Sequence, residues 1–321
     1  MFLVFDIGGT YIKYAIMEAD GTILEKGKTP TIKSDDDGIE DFIENLGTIY
    51  DIKKTAYDLE GLACGMPGRI DVEKGIAHTG GGIKFIQDAP LADMISRRCD
   101  GLRVSLENDG KCAALAEAWK GNAKDCRNAL VILFGTGIGG GIIMDGKVYH
   151  GNRQIAGEVS FCFTDMNRED VDNIGCVEHM GVEESYDRVP YLWATTASVR
   201  ALCSKVAKAK GVPPEEMSGE RVYEMAEQGD GLVIDILEDM YFNIAKHICS
   251  LYVTLDPDII LIGGGISAQP RFIEGINRYV EKLRRISIMF DGLRLDTCKY
   301  RNDSNLLGAL YYFKQKYEYE I

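Results

Sequence analysis

Four short stretches of the sequence carry residue types suited to phosphate and hydroxyl chemistry. The first, Asp6-Ile7-Gly8-Gly9-Thr10, joins two apolar runs. Its glycines let the backbone approach a ligand, with N–H groups available to phosphate oxygens. Thr10 adds a hydroxyl, and the Asp6 carboxylate suits a hydrated magnesium ion, which takes oxygen ligands. The second stretch runs from Gly135 through Thr136 and Gly137 to Gly141 and contains a GxGxxG spacing at Gly135, Gly137 and Gly140. A dinucleotide fingerprint needs a helix straight after those glycines. Here IIMDGKVYHG follows, a strand pattern with an Asp145-Gly146 turn, so a glycine hairpin that cradles phosphate fits better. The third, Gly263-Gly264-Gly265-Ile266-Ser267 after PDIILI, reads as strand, glycines and helix, a crevice where a nucleotide can lie. The fourth, Glu107-Asn108-Asp109-Gly110, ends an apolar strand and opens an Ala-rich helix. There Asp109 can take a proton from a substrate hydroxyl, the task phosphoryl transfer leaves to a carboxylate. Taken singly, each stretch has a plainer reading: an ordinary hairpin, a strand-to-helix turn, or a helix N-cap.

The elements around these stretches repeat. FLVFDI, TYIKYAIME and TILEKGKT predict three strands, and residues 37–50 a helix with Ile39, Phe42, Ile43 and Leu46 on one face. LEGLACGMP is a buried strand, residues 90–98 a helix, GLRVSLEND a strand and GKCAALAEAWKG a helix. A second round starts at residue 128 with NALVILFG. Residues 152–190 are polar and irregular. Helices follow at about 195–210, 218–227 and 230–253, then strand PDIILIGGG, helix RFIEGINRYVEKLRR, strand GLRLDTCKY and a last amphipathic helix. This predicts an α/β protein of two lobes. The boundary lies near residue 120: residues 1–120 with the returning helix 304–321 form one lobe, and residues 121–303 the other.

Composition narrows the function classes. The 321 residues suffice for two domains, and 45% are hydrophobic, enough for a buried core. Lys and Arg number 36 against 50 Asp and Glu, a net charge of −14, which argues against a nucleic-acid partner. Nine cysteines without a CxxC pair, several in apolar runs, fit reduced thiols in a cytoplasmic protein. No stretch reaches the length of a membrane span or a signal peptide, so no membrane partner is expected.

The four stretches, in this order, resemble the ROK family (repressors, open reading frames and sugar kinases), within the sugar kinase/Hsp70/actin superfamily. DIGGTYIK matches its first phosphate loop, with Lys13 in place. GMPGRID, from Gly65 to Asp71, resembles its sugar-site turn, and ENDGKCAALAE its catalytic segment. GTGIGGGII resembles its second phosphate loop and ILIGGGIS its adenosine motif. The resemblance implies a two-lobed ribonuclease H-like fold with an ATP and sugar cleft between the lobes, and ATP with Mg2+ as cofactors. It implies Asp109 as the base and Gly65, Asn108, Asp109 and Glu158 at the sugar. ATP would meet Asp6, Gly8, Gly9, Thr10, Lys13, Gly135, Thr136, Gly137, Gly264 and Gly265, with Asp6 holding magnesium through water. A homodimer is expected.

Two departures bear on the substrate. The family's glutamate motif continues as GExGH, and three cysteines join that His at a structural zinc. Here Gly157-Glu158-Val159-Ser160-Phe161 puts Phe161 in place of the His. Cys162, Cys176 and His179 do not rebuild a four-ligand set, so no zinc site is expected. The Asn expected near residue 82 is also missing from HTGGGIKF. The expected activity is that of a glucokinase-like hexose kinase. The alternatives are a β-glucoside kinase with the same chemistry, or a non-catalytic sugar-sensing regulator. A repressor's helix-turn-helix has no room ahead of a loop that starts at residue 6.

Overall fold

The computed structural model describes residues 1–32, 38–173, 189–301 and 303–319. They divide into two compact units. One holds Met1–Asp125, Gly141–Gly157 and Lys299–Ile321, the other Cys126–Gly140 and Glu158–Cys298.

In the first unit, strand β1 (Phe2–Ile7) is buried along its whole length, as its apolar run over residues 2–5 requires, with Asp6 buried in it as well. It pairs antiparallel with β2 (Tyr11–Met17), from Phe2↔Met17 to Ile7↔Ile12, and β2 pairs antiparallel with β3 (Ile23–Pro30). Helix α1 (Ile39–Lys53) leads to β4 (Gly61–Met66), parallel to β1. The small strands β5 (Ile70–Asp71), β6 (Ile76–Thr79) and β7 (Gln87–Ala89) form a separate antiparallel sheet that the sequence pattern did not announce. Helix α2 (Leu91–Arg98), β8 (Val104–Asn108) and α3 (Asp109–Lys120) complete the run, and the main sheet has the order β3-β2-β1-β4-β8. The last helix, Ser304–Lys316, packs on α3 and the sheet. Leu310 and Phe313 join Phe2, Val4, Ala63 and Cys112 in one core, each large side chain contributing about 1.5–3 kcal/mol of burial.

The second sheet, order β11-β10-β9-β12-β13, consists of β9 (Ala129–Phe134), β10 (Ile138–Met144), β11 (Lys147–Val148), β12 (Ile259–Gly263) and β13 (Leu295–Thr297). β12 runs parallel to both β9 and β13. Asp145 and Gly146 both have positive φ and close the β10–β11 hairpin, as the turn dipeptide predicts. The strand expected over GLRLDTCKY is confined to three residues, for β13 is an edge strand paired only with β12. The helix expected at about 195–210 is two helices, Trp193–Ala197 and Val199–Lys210. Ser198 breaks them by turning extended and capping the second through Ala201 N–H. Helices Gly219–Glu227, Gly231–Leu255 and Pro270–Arg284 follow. Phe134 sits edge-on to both Trp193 and Phe272, with ring centroids 5.8 and 5.4 Å away, all three in the second unit.

The unit boundary differs from the one expected near residue 120. The segment Gly141–Gly157 groups with the first unit, not with the C-terminal part of the chain. A side chain at Gly141 would stand 2.5 Å from Ala114 Cβ and 3.0 Å from the Gly110 carbonyl oxygen. Glycine there lets the strand lie directly against α3, a contact no local pattern encodes.

Candidate functional site

The β1–β2 register sets Lys13 opposite Asp6, and its ammonium meets Asp6 Oδ2 at 3.0 Å. Asn305 Nδ2, at the start of the last helix, donates to Asp6 Oδ1 at 3.0 Å. Asp6 is only 6% exposed, so these two donors offset the cost of burying its charge. One donor on each oxygen leaves lone pairs for the waters of a hydrated cation. The connecting loop is pinned from outside: Gly8 N–H donates to the Tyr11 carbonyl at 3.0 Å, Thr31 Oγ1 to the Gly8 carbonyl at 2.6 Å, and Thr31 N–H to the Thr10 carbonyl at 3.0 Å. Thr10 is exposed.

Parallel pairing of β4 with β1 and β8 brings the end of β8 into the same unit and sheet as Asp6. Asn108 is the N-cap of α3: its Oδ1 accepts Lys111 N–H at 3.2 Å, while its Nδ2 donates to the Gly68 carbonyl at 3.1 Å. Asp109 opens the helix, with Oδ1 accepting Gly110 N–H at 2.8 Å. The plainer reading of this stretch as a helix N-cap holds for Asn108, and Asp109 stands beside it as the first residue of the helix. Cys112 lies fully buried below, and its thiol is pushed well up by burial and then by the carboxylates of Glu107, Asp109 and Asp6. Gly65 is buried in β4. A side chain there would meet Cys112 Sγ at 3.1 Å, and the Asn305 carbonyl lies at 3.6 Å. Its bareness serves packing against α3 and the last helix.

In the second unit, a cavity of about 1030 Å³ is lined by Gly135, Thr136 and Gly265, with Arg200, Glu220 and Tyr223 among the side chains around it. Its volume suits a nucleotide-sized ligand. Gly135 N–H donates to the Gly137 carbonyl, and Val199 N–H to the Gly135 carbonyl at 2.9 Å. The glycines differ in what they do. Gly264 has φ +86°, and a side chain would lie 2.1 Å from the Phe134 carbonyl oxygen, so the fold itself demands glycine. Gly135, Gly137 and Gly265 have no left-handed backbone and nothing within 4 Å of an added Cβ. The same holds for Gly9 in the first unit. Nothing in the fold asks for glycine at these four positions, but a closely approaching ligand would.

Glu158 precedes a 3-10 turn, Val159–Phe161, and its carbonyl accepts Phe161 N–H at 3.2 Å; Phe161 is 52% exposed. Among the described residues, no group of three or more His, Cys, Asp and Glu side chains is placed to hold a metal ion. Cys176 and His179 lie outside the described residues. No helix is long and apolar enough to cross a membrane among them.

Two residues beyond the sequence motifs join the first unit's site. Asn305 holds Asp6, and His150 Nε2 meets Glu107 Oε2 at 2.6 Å. A polar Asn heading an otherwise apolar last helix was the available signal for the first. A lone His beside a hairpin gave none for the second.

A model of the ROK family matches residues 3–316, and the chain belongs to that family. It is 30% identical over 315 residues to a beta-glucoside kinase of Klebsiella pneumoniae, covering 98% of this chain and 96% of that protein. Among solved structures, the Lmo2764 protein of Listeria monocytogenes superposes with a TM-score of 0.83 at 27% identity, covering 98% of this chain and 99% of that one. A ROK family glucokinase from Streptomyces griseus, solved with glucose and AMPPNP, shares the fold, with a TM-score of 0.74 at 22% identity over 96% and 98% of the two chains. The α/β ribonuclease H-like fold expected from the motifs is the fold of these relatives.

Proposed function

We propose that this chain, an ATP-dependent carbohydrate kinase by family, transfers the ATP γ-phosphate to a hexose or hexoside hydroxyl, with Asp109 as the base. The observation that carries the reading is the position of Asp109, at the head of α3 directly after the N-cap Asn108, where its Oδ1 accepts Gly110 N–H. Its carboxylate would accept the hydroxyl proton as the new O–P bond forms and the bond to the β–γ bridging oxygen breaks, leaving ADP. Asn108 would hold the acceptor with the amide hydrogen and the lone pair its cap does not use. Gly65 and Glu158 complete the proposed sugar contacts. Gly8, Gly9, Thr10, Lys13, Gly135, Thr136, Gly137, Gly264 and Gly265 would face the nucleotide. Asp6 would hold Mg2+ through water, and the ion when bound supplies charge neutralisation at the phosphates.

ADP release measured over glucose, mannose, fructose, N-acetylhexosamines and β-glucosides tests the reading. Asp109→Asn is expected to slow turnover roughly 10²- to 10⁴-fold with the fold intact. Near-normal turnover in that variant would sink the base assignment. Excess chelator is expected to stop the reaction and Mg2+ to restore it; activity persisting without divalent cation contradicts the Asp6 role. The same reading includes a cytoplasmic homodimer with no nucleic-acid partner, consistent with a net charge of −14. A monomer in sedimentation analysis at assay concentration would refute the dimer.

A β-glucoside acceptor is favoured over free glucose by Phe161. A residue that merely filled space would be buried, but this ring is 52% exposed. An aromatic face offers nothing to a small anomeric hydroxyl and can stack on an aglycone or a second sugar ring. The kcat/KM ratio of cellobiose to glucose should favour cellobiose and fall in Phe161→His. An unchanged ratio makes Phe161 irrelevant to the acceptor.

A further inference from the structure

Glu107 immediately precedes the Asn108-Asp109 pair and is 1% exposed. A carboxylate this deep must be held by donors to remain charged. Its Oε1 accepts the N–H of Asn108 at 2.7 Å, and its Oε2 lies 2.6 Å from His150 Nε2. Its charge reaches its neighbours: after burial, Glu107 is the largest cause raising both the Cys112 thiol and the Tyr312 phenol. Asn108 is fixed at three points, by Glu107 at its N–H, by the Gly68 carbonyl at Nδ2 and by Lys111 N–H at Oδ1. Asp109 is the next residue, so the backbone that aims its carboxylate is set by that frame.

His150 belongs to the segment Gly141–Gly157 that joins this unit. Its ring is 6.0 Å from that of Tyr312 in an edge-to-face arrangement. Its own carbonyl accepts Ala156 N–H at 3.1 Å, and Gly151, at φ +71°, turns the chain between them. One residue therefore braces Glu107 with its ring and closes the following turn with its backbone.

Resting on the reading of Asp109 as base, we propose that His150 is a positioning residue for phosphoryl transfer: its Nε2–H bond holds Glu107 on the Asn108 N–H and so orients Asp109. The bond joins residues 43 positions apart, so it ties the hairpin segment to the catalytic turn. A ligand-free structural role would show in folding. A positioning role shows in turnover, since small misplacements of reacting groups cost up to about 10²-fold.

The test is steady-state ADP release at saturating acceptor with the full chain and four variants, His150→Phe, His150→Gln, Glu107→Gln and Asp109→Asn, alongside circular dichroism. His150→Phe is expected to lower kcat roughly 10- to 100-fold, with the KM for ATP within about twofold and the folded fraction unchanged. His150→Gln, whose amide still donates to Glu107, should recover kcat to within about threefold. A native kcat in His150→Phe overturns the proposal, and so does a His150→Gln as slow as His150→Phe. If His150→Phe does not fold, Glu107→Gln decides: a kcat lowered about tenfold at unchanged KM for ATP supports the proposal, and a native kcat overturns it. Full activity in Asp109→Asn refutes the base assignment itself, an outcome separate from any result at His150.

Discussion

Gly264→Ala and Gly265→Ala are adjacent substitutions with opposite expected consequences. At Gly264 the backbone stands at φ 86°, ψ 168°, a region essentially reserved for glycine, and holding alanine there costs about 1–3 kcal/mol. The new methyl would also sit 2.1 Å from the Phe134 carbonyl oxygen and 2.7 Å from its carbon. Those atoms are backbone of β9, which cannot swing aside, so overpacking adds roughly another 1–3 kcal/mol. The expected loss is about 2–6 kcal/mol. At Gly265 an added Cβ meets nothing within 4 Å, and φ lies outside the left-handed region. Stability should hold or rise by about 0.4–1 kcal/mol, as the unfolded chain loses freedom. The methyl instead enters the space lined by Gly135, Thr136 and Gly265. Crowding a ligand there by about 1–3 kcal/mol raises the KM for ATP roughly 5- to 150-fold. The chain has two tryptophans, Trp119 and Trp193, one in each unit. In a Trp119→Phe background, Trp193 fluorescence during urea unfolding follows the second unit alone, and ADP release gives the KM. A Gly264→Ala protein as stable as the parent would refute the strain argument. A stable Gly265→Ala protein with an unchanged KM for ATP would refute the assignment of the open glycines to a ligand.

The other expectations are narrower. Gly9→Ala should likewise leave the melting profile unchanged and raise the KM for ATP, since its Cβ also meets nothing; an unaltered KM removes Gly9 from the nucleotide contacts. Asn305→Leu deprives the buried Asp6 of a donor at Oδ1 and should cost about 1–3 kcal/mol in a denaturation measurement, together with a raised Mg2+ requirement; unchanged stability and Mg2+ dependence contradict the anchoring role. Ser198→Ala removes the cap of helix Val199–Lys210 and should cost about 0.5–2 kcal/mol in unfolding free energy; no loss would mean that Ser198 does not stabilise the helix.

What could be read from the sequence was what local pattern encodes. The largely apolar stretch FLVFDI forms β1, and PDIILIGGG ends in β12 and its glycine turn. The hairpin after Gly141 formed as its Asp145-Gly146 dipeptide requires, which separates this loop from a dinucleotide-binding turn. What escaped was long-range. The β5–β7 sheet is made of strands of two to four residues, too short to show alternation. The Glu107–His150 and Asp6–Asn305 bonds join residues 43 and 299 positions apart. Glu107 read as the acidic end of a strand, with no sign that it would be buried or paired. The packing of Gly65 against Cys112 and the last helix was not legible either, because its partners lie far along the chain.

The bond between Asp6 and Asn305 also sets an order of manufacture. Asp6 is translated 299 residues ahead of Asn305, so its carboxylate gains that donor, and β1 and β4 gain Leu310 and Phe313, only after the whole stretch between has been made. At the usual pace of synthesis that interval is roughly 15–60 s. Throughout it the opening strands have apolar faces without their closing helix, the condition in which nascent chains aggregate or recruit chaperones. Cys126–Gly140 and Glu158–Cys298 are all translated before that helix emerges. A stop codon near residue 303, or a bulky tag placed tight against Lys316, would therefore disable the protein at its first loop, almost three hundred residues upstream.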